Sequence, residues 1–225
     1  MPITAPARRH LPGMIFSLIA LAASLLYCAA EIAHVVGWLD QPYYDIIVFG
    51  SSILIATPFA IAMTALYHAA PAEDRFWVHA ALVLAAMYAV LVSLVYFVQL
   101  TIVLPARLSG AEDAVRLLLY KDHSFLASVD GLGYVLMALS LLVASPAFSA
   151  RGFERWMRVF FAANGLLAPI VVLVLYRHEY LLWGTIWMVT EPGALLLMTL
   201  YFAQRPASRP QPAAVRGQPQ PACGQ

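Results

Sequence analysis

Six long apolar runs follow one another along the chain, with short polar stretches between them. They cover approximately residues 13–37, 44–68, 77–104, 124–146, 157–176 and 180–203. About 20 apolar residues span the hydrocarbon of a bilayer, and a lipid-exposed backbone must form a helix or a closed barrel. Barrel strands alternate apolar and polar positions, whereas Leu82 to Val98 is apolar on every side. The pattern therefore predicts an all-α integral membrane bundle of six transmembrane helices.

The composition agrees with a chain that lies mostly in lipid. Hydrophobic residues make up 62% of the chain and charged residues 11%, whereas soluble domains are about half apolar and about a quarter charged. This composition excludes a soluble globular domain. The formal net charge is only +1, so the chain has no broad basic surface for a nucleic acid. We expect the lipid bilayer as a partner, and no nucleic acid.

The two ends of the chain are more polar than the region between them. Residues 1–12 precede the predicted six-helix domain, which covers residues 13–203. Residues 204–225 contain five prolines, five glutamines and almost no large apolar side chain. Such a stretch buries too little apolar surface to fold. We predict a disordered tail there.

The Lys and Arg residues predict the orientation of the bundle. Nine of the thirteen lie on the side of both termini, and four lie in loops on the other side. Those four are Arg107, Arg116, Lys121 and Arg177. Cytoplasmic loops are enriched in Lys and Arg. We therefore expect a multi-pass protein of a bacterial cytoplasmic (inner) membrane with both termini in the cytoplasm.

The outward connection between the third and fourth spans has a helix-start signal. Ser109 and Glu112 have the spacing of a capping box at the start of Gly110 to Tyr120. The apolar residues of that stretch share one helical face, which is typical of a short helix on the membrane surface. Such a helix would be either a lid over a site or a plain connector.

Polar side chains inside the spans are the candidate ligand-binding residues, because each one is costly in lipid. Four of them lie within about 6 to 10 Å of the outward ends of their spans, and one lies near the midplane. The outward four are Glu31, His34, Gln99 and Asp130, the midplane residue is Glu191, and Tyr134 and Trp187 share faces with Asp130 and Glu191. They form either hydrogen-bonded cross-links between helices or an outward-facing polar pocket built by the first, third, fourth and sixth spans.

The chain offers little sign of a metal site or of catalysis. Glu31 and His34 have the Glu-x-x-His spacing of di-metal bundles, but those sites need a second copy, which the sequence lacks. No P-loop, GxSxG elbow, HExxH or dinucleotide fingerprint occurs. The sequence therefore favours a protein without enzymatic activity, predicts no catalytic or metal-binding residue, and leaves any cofactor unknown.

Three segments carry a resemblance to other proteins. They are Tyr96 to Pro105 (YFVQLTIVLP), Asp130 to Ser140 (DGLGYVLMALS) and Phe160 to Gly165 (FFAANG). The region from about Ala65 to Tyr201 is similar to a group of small, uncharacterised bacterial polytopic membrane proteins. The resemblance implies that Gln99, Asp130, Tyr134 and Asn164 belong to a recurring pattern. It implies no particular activity.

Together these features predict a membrane protein that binds or transports a small or lipophilic molecule in an intramembrane polar pocket. Glu31 and Asp130 are expected to accept hydrogen bonds or exchange protons. The alternatives are an intramembrane metal- or haem-dependent enzyme, and a structural or regulatory subunit of a membrane complex. The substrate, any partner subunit and the oligomeric state do not follow from the sequence.

Overall fold

The computed structural model describes residues 10–177 and 185–204, which form helices and short connections and include no β-strand. The helices are α1 (Leu11–Val35), α2 (Tyr43–Ala69), α3 (Arg75–Val98), α4 (Leu104–Leu108), α5 (Phe125–Ala144), α6 (Gly152–Gly165), α7 (Ala168–Tyr176) and α8 (Trp187–Gln204). Two 3-10 helices, Glu112–Leu118 and Ser145–Ala147, and one π-helix, Gln99–Val103, lie between them. The all-α prediction is confirmed.

Five helical segments of the described chain are long and apolar enough to cross a membrane. They are Leu11–Val35, Tyr43–Ala69, Arg75–Leu108, Phe125–Ala147 and Gly152–Tyr176. The sixth predicted span, 180–203, begins at residues 180–184, which lie outside the described residues, and continues as α8. Residues 1–9 and 205–225 of the two predicted terminal segments also lie outside them.

The helices pack in a closed ring. α1 contacts α2 and α8, α3 contacts α2 and α5, α6 contacts α5 and α8, and α7 contacts α5. Large side chains with at most 1% exposure fill the centre, namely Met63, Tyr88, Met137, Phe161 and Met198. Connections 36–42 and 109–124 lie at the same end of the ring, which we call the loop end.

The third span is longer than predicted and contains a π-helical turn. Helix α3 passes into the π-helix Gln99–Val103 and then into α4, so that the span runs from Arg75 to Leu108 instead of residues 77–104. Pro105 follows this turn, lacks an N–H group and disfavours a regular α-helical hydrogen bond to the carbonyl of Thr101. The wide π-helical turn directs the Gln99 side chain into the bundle, where it is buried.

The fifth span is interrupted, although its run of apolar residues predicted one continuous helix. Helix α6 ends at Gly165 and α7 begins at Ala168, with Pro169 in its first turn. A Cβ atom on Gly165 would lie 2.8 Å from the Leu142 Cα atom and 2.9 Å from the Ala138 oxygen. The missing side chain therefore allows α6 to pack directly on the backbone of α5.

The surface helix that we predicted between the third and fourth spans has a different form. Residues Glu112–Leu118 form a seven-residue 3-10 helix, and the expected Ser109–Glu112 capping box is absent. Ser109 Oγ instead donates to the Ala106 carbonyl at 3.0 Å, and the Glu112 carboxylate lies 3.5 Å from Lys121 Nζ. The prediction of a capping box was wrong because both side chains have other partners nearby.

Candidate ligand-binding cavity

A cavity of about 690 Å³ opens at the loop end of the bundle. Its walls come from the last turns of α1 and α7, the first turns of α2, α5 and α8, and the connection before α5. Much of the lining is apolar, with Ile32, Val35 and Leu175 among its residues. We call this space the main cavity.

Asp130 is the most deeply buried carboxylate in the main cavity, with 1% of its surface exposed. Helix α5 begins after Ser124, whose side chain caps the helix by accepting a hydrogen bond from the Ala127 N–H group at 3.2 Å. Asp130 Oδ2 accepts hydrogen bonds from Tyr96 at 2.9 Å and from Tyr120 at 2.7 Å. Asp130 Oδ1 has no hydrogen-bond partner among residues 10–177 and 185–204.

The two glycines beside Asp130 bring neighbouring helices close to it. A Cβ atom on Gly131 would lie 2.6 Å from a Leu175 methyl group of α7, and one on Gly133 would lie 2.6 Å from a Val92 methyl group of α3. A larger residue at either position would force the Leu175 or Val92 side chain, or the helix that carries it, to shift. The close packing of α3 places Tyr96 within hydrogen-bond distance of Asp130.

Three tyrosine hydroxyls form a network around Asp130. The Tyr96 hydroxyl lies 3.2 Å from the Tyr134 hydroxyl, and because Tyr96 donates its one hydrogen to Asp130, Tyr134 is the donor to Tyr96. Tyr120 lies in the connection before α5. Burial and then the nearby Asp130 carboxyl raise the pKa of Tyr120 well above its ordinary value of 10.0. Tyr120 therefore stays protonated and keeps its hydrogen on Asp130.

Glu31 is half-buried in α1 and lines the main cavity. Its Oε1 atom accepts a hydrogen bond from the Tyr44 hydroxyl at 3.0 Å. The exposed His34 ring stacks on Tyr44 with 4.0 Å between ring centroids, and its Nδ1 atom lies 2.8 Å from the Leu39 carbonyl. Both residues of the Glu-x-x-His spacing therefore contact Tyr44, and no group of three potential metal ligands occurs in the described chain.

An aromatic wall closes one side of the main cavity. The Trp187 ring lies edge to face with Tyr27 and with Tyr134, at 5.6 Å between centroids in both pairs. Trp187 Nε1 is buried and has no hydrogen-bond acceptor among the described residues. The wall thus combines apolar ring surface with one N–H group that could serve a ligand.

Gln99 lies in a second, smaller cavity of about 200 Å³ between α1, α2 and α3. Its Nε2 atom donates to the Leu118 carbonyl at 2.7 Å and so ties the 3-10 helix to the bundle. Glu31, Tyr27, Tyr44 and Tyr120 line both cavities. Gln99 is thus close to the main cavity without lining it.

Glu191 lies deeper in the bundle and is absent from the lining of both cavities. Its Oε2 atom accepts a hydrogen bond from Ser24 of α1, and its Oε1 atom has no hydrogen-bond partner among the described residues. Nearby on α8, Thr190 accepts a hydrogen bond from Asn164 of α6 at 3.2 Å. This layer links α8 to its two neighbours in the ring.

The structure therefore divides the seven predicted binding residues into three sets. Four of them line the main cavity, namely Glu31, Asp130, Tyr134 and Trp187. Gln99 lines the smaller cavity, and His34 and Glu191 line neither. The third span contributes Tyr96 behind Asp130, whereas the second and fifth spans, which we did not predict to take part, supply lining residues.

Sequence reasoning missed an ion pair and two tyrosines at this site. Arg107 Nη1 lies 2.6 Å from Asp45 Oδ2, and Asp45 is 4% exposed. Tyr44 donates a hydrogen bond to Glu31, and Tyr120 donates one to Asp130. Asp45 was detectable as a carboxylate within an apolar run, but Tyr120 lies in a polar connection and had no comparable signal.

No known protein family matches this chain, and neither does a curated protein or a solved structure. The roles of the residues described above therefore rest on their geometry.

Proposed function

We propose that the protein crosses a bacterial inner membrane six times, with both termini in the cytoplasm, and binds or transports a small or lipophilic molecule in the main cavity. In this arrangement α8 belongs to the sixth span. The loop end faces outward, because it carries Arg107, Arg116, Lys121 and Arg177, whereas the sequence assigns the other nine Lys and Arg residues to the side of the termini.

The observation that carries this proposal is a buried, incompletely bonded carboxylate in a cavity of ligand size. Cavities that bind small molecules measure about 300–1,000 Å³ and combine apolar walls with a few polar groups. The main cavity has a volume of about 690 Å³, and Asp130 lines it with an Oδ1 atom that no described residue contacts by a hydrogen bond.

Other polar contacts in this protein join two helices and, unlike those of Asp130, do not border the main cavity. Ser140 Oγ of α5 donates to the Ala81 carbonyl of α3 at 2.7 Å, and Thr199 of α8 donates to Ser17 of α1 at 3.0 Å. Both lie in packed regions away from the residues that line the main cavity. Asp130 instead combines an unpaired oxygen with open space, which favours binding over simple cross-linking.

The experiment compares small molecules that co-purify with the wild type and with two Ala→Phe variants. Ala127→Phe adds a ring inside the main cavity, which Ala127 lines. Ala86→Phe adds the same ring at an exposed position on α3. Each protein is purified in mild detergent, and its organic extract is analysed by mass spectrometry.

We expect one compound to be enriched with the wild type and with Ala86→Phe and to be lost from Ala127→Phe, because only Ala127→Phe fills the space that the compound occupies. Circular dichroism and gel filtration check that both variants fold. Identical extracts from all three folded proteins would contradict the proposed function.

A further inference from the structure

We propose that the molecule bound in the main cavity is an amphiphilic organic cation. Its ammonium group binds between Asp130 and Glu31, and its apolar body lies against the walls of α1, α7 and α8. This inference rests on the proposed function and names the class of ligand.

Acidic side chains outnumber basic ones among the described residues that line the main cavity. In the described part of the chain, the acidic lining residues are Glu31, Asp122 and Asp130, and the basic one is His123, at an exposed position. No Lys or Arg of the described chain lines the cavity. A cationic ligand therefore meets a complementary field, whereas an anionic ligand would be repelled.

Three tyrosine hydroxyls at the main cavity donate their hydrogens to the two carboxyl groups of Asp130 and Glu31. The polar surface around these two residues therefore offers a ligand mainly hydrogen-bond acceptors. Tyr96 and Tyr120 donate their hydrogens to Asp130, and Tyr44 donates its hydrogen to Glu31. A phenol has one hydrogen, so these hydroxyls have none left for a ligand. The unpaired Asp130 Oδ1 atom needs a donor, and the N–H groups of an ammonium ion supply one.

Asp45 shows how the same protein stabilises another buried carboxylate. Arg107 lies 2.6 Å from Asp45 and supplies a positive charge. The partners of Asp130 are two neutral hydroxyls. A buried carboxylate is costly unless a counter-charge accompanies it, and a ligand ammonium group in the cavity can supply that charge to Asp130.

The remaining walls suit the rest of such a ligand. The rings of Tyr27, Trp187 and Tyr134 form a continuous aromatic surface, which attracts cations through ring faces and apolar groups through contact area. Val35 and Leu175 add aliphatic surface beside it. The polar group and the apolar body therefore each have a matching part of the cavity.

The experiment uses three probes that share a phenyl ring on a four-carbon chain and differ in the polar group at the end of that chain. They are phenylbutylamine, phenylbutanol and phenylbutyrate, which are cationic, neutral and anionic at neutral pH. Binding to the full chain in phosphatidylcholine nanodiscs is measured by equilibrium dialysis, and empty nanodiscs correct for partition into lipid. The variants are Asp130→Asn and Glu31→Gln, and the matched control is Glu112→Gln.

We expect the wild type to bind phenylbutylamine about tenfold more tightly than phenylbutanol, and phenylbutyrate most weakly. Asp130→Asn should remove the preference for the amine without changing the affinity for the alcohol. Glu31→Gln should reduce the preference. Glu112 carries a negative charge near the loop end but does not line the cavity, so Glu112→Gln should bind all three probes as the wild type does.

An ammonium group could belong to a free amine or to a lipid such as phosphatidylethanolamine, and a second set of nanodiscs distinguishes the two. If the occupant is the lipid, nanodiscs that contain phosphatidylethanolamine should weaken the binding of phenylbutylamine by competition. If the occupant is a free amine, binding should be the same in both kinds of nanodisc.

Other results would overturn the inference. Equal binding of the amine and the alcohol would exclude a cation site and leave the proposed binding function intact. An amine preference that survives in both Asp130→Asn and Glu31→Gln would also exclude it. A wild-type protein that binds none of the three probes would overturn the inference, whereas the proposed function is tested separately by the co-purification experiment.

Discussion

Asp45 and Asp130 are both buried carboxylates, but their partners differ. Asp45 is paired with a cation, Arg107, which leaves that site electrostatically complete. Asp130 accepts two hydrogen bonds on Oδ2 and none from described residues on Oδ1. Glu191 also has an unpaired oxygen, Oε1, but it lines neither cavity, so at the scale of single residues Asp130 is available to a ligand because its unpaired oxygen coincides with open space.

The raised pKa of Tyr120 predicts that the stability of the protein depends on pH in the alkaline range. Burial and the Asp130 carboxyl raise its pKa above the ordinary value of 10.0. Its contribution to stability is therefore fully present below about pH 10 and is lost as the pH rises further, because the unfolded phenol ionises first. We expect the melting temperature of Tyr120→Phe to fall less steeply than that of the wild type as the pH rises from about 10 to about 12.

The control for this measurement is Tyr43→Phe. Tyr43 is 68% exposed, so its removal should leave the wild-type pH dependence unchanged. A Tyr120→Phe variant that follows the wild-type curve would show that Tyr120 is not held in the environment described above.

At the scale of helices, interruptions place the functional side chains. The π-helix Gln99–Val103 buries Gln99 against the connection that carries Tyr120. The break after Gly165 separates α6, which packs on the end of α5 far from the main cavity, from α7, whose last turns line that cavity.

Gly165→Ala tests the contact between α6 and α5. The added Cβ atom would lie 2.8 Å from the Leu142 Cα atom, and backbone cannot move aside as a side chain can. We expect a loss of about 1–3 kcal/mol in the free energy of unfolding, measured by denaturation in mixed micelles. Gly50→Ala is the matched control, because a Cβ atom there meets nothing within 4 Å. Equal stability of both variants would refute the close contact.

At the scale of the whole molecule, the closed ring of helices gives the protein two different ends. The loop end contains the main cavity and the Asp45–Arg107 ion pair. The opposite end contains the Arg-rich start of α6, which has an amphipathic sequence. The proposed function requires the loop end to face outward.

Cysteine labelling tests this orientation. Ser109 and Ser149 are exposed on the loop end and on the opposite end, respectively. In a background with Cys28→Ser and Cys223→Ser, a membrane-impermeant maleimide should label Ser109→Cys in intact cells and should label Ser149→Cys only after permeabilisation. The reverse pattern would place the cavity on the cytoplasmic side and contradict the proposed orientation.

Part of the candidate site could be predicted from sequence because charged and polar residues in apolar runs are rare. Glu31, Asp130, Tyr134 and Trp187 were identified in this way, and all four line the main cavity. Tyr120 could not be identified by this criterion, because it lies in a polar connection, where a tyrosine is common. Glu191 satisfied the same criterion as Asp130 but bonds Ser24 in a packed layer.

The helical, membrane-length segments follow from the sequence alone, because an apolar run in lipid must satisfy its own backbone hydrogen bonds. Which polar groups meet depends on how the helices pack against one another. The rotation of each helix depends on close contacts with its neighbours, such as those of Gly131 and Gly133 with α7 and α3, and helical periodicity does not specify such contacts between helices.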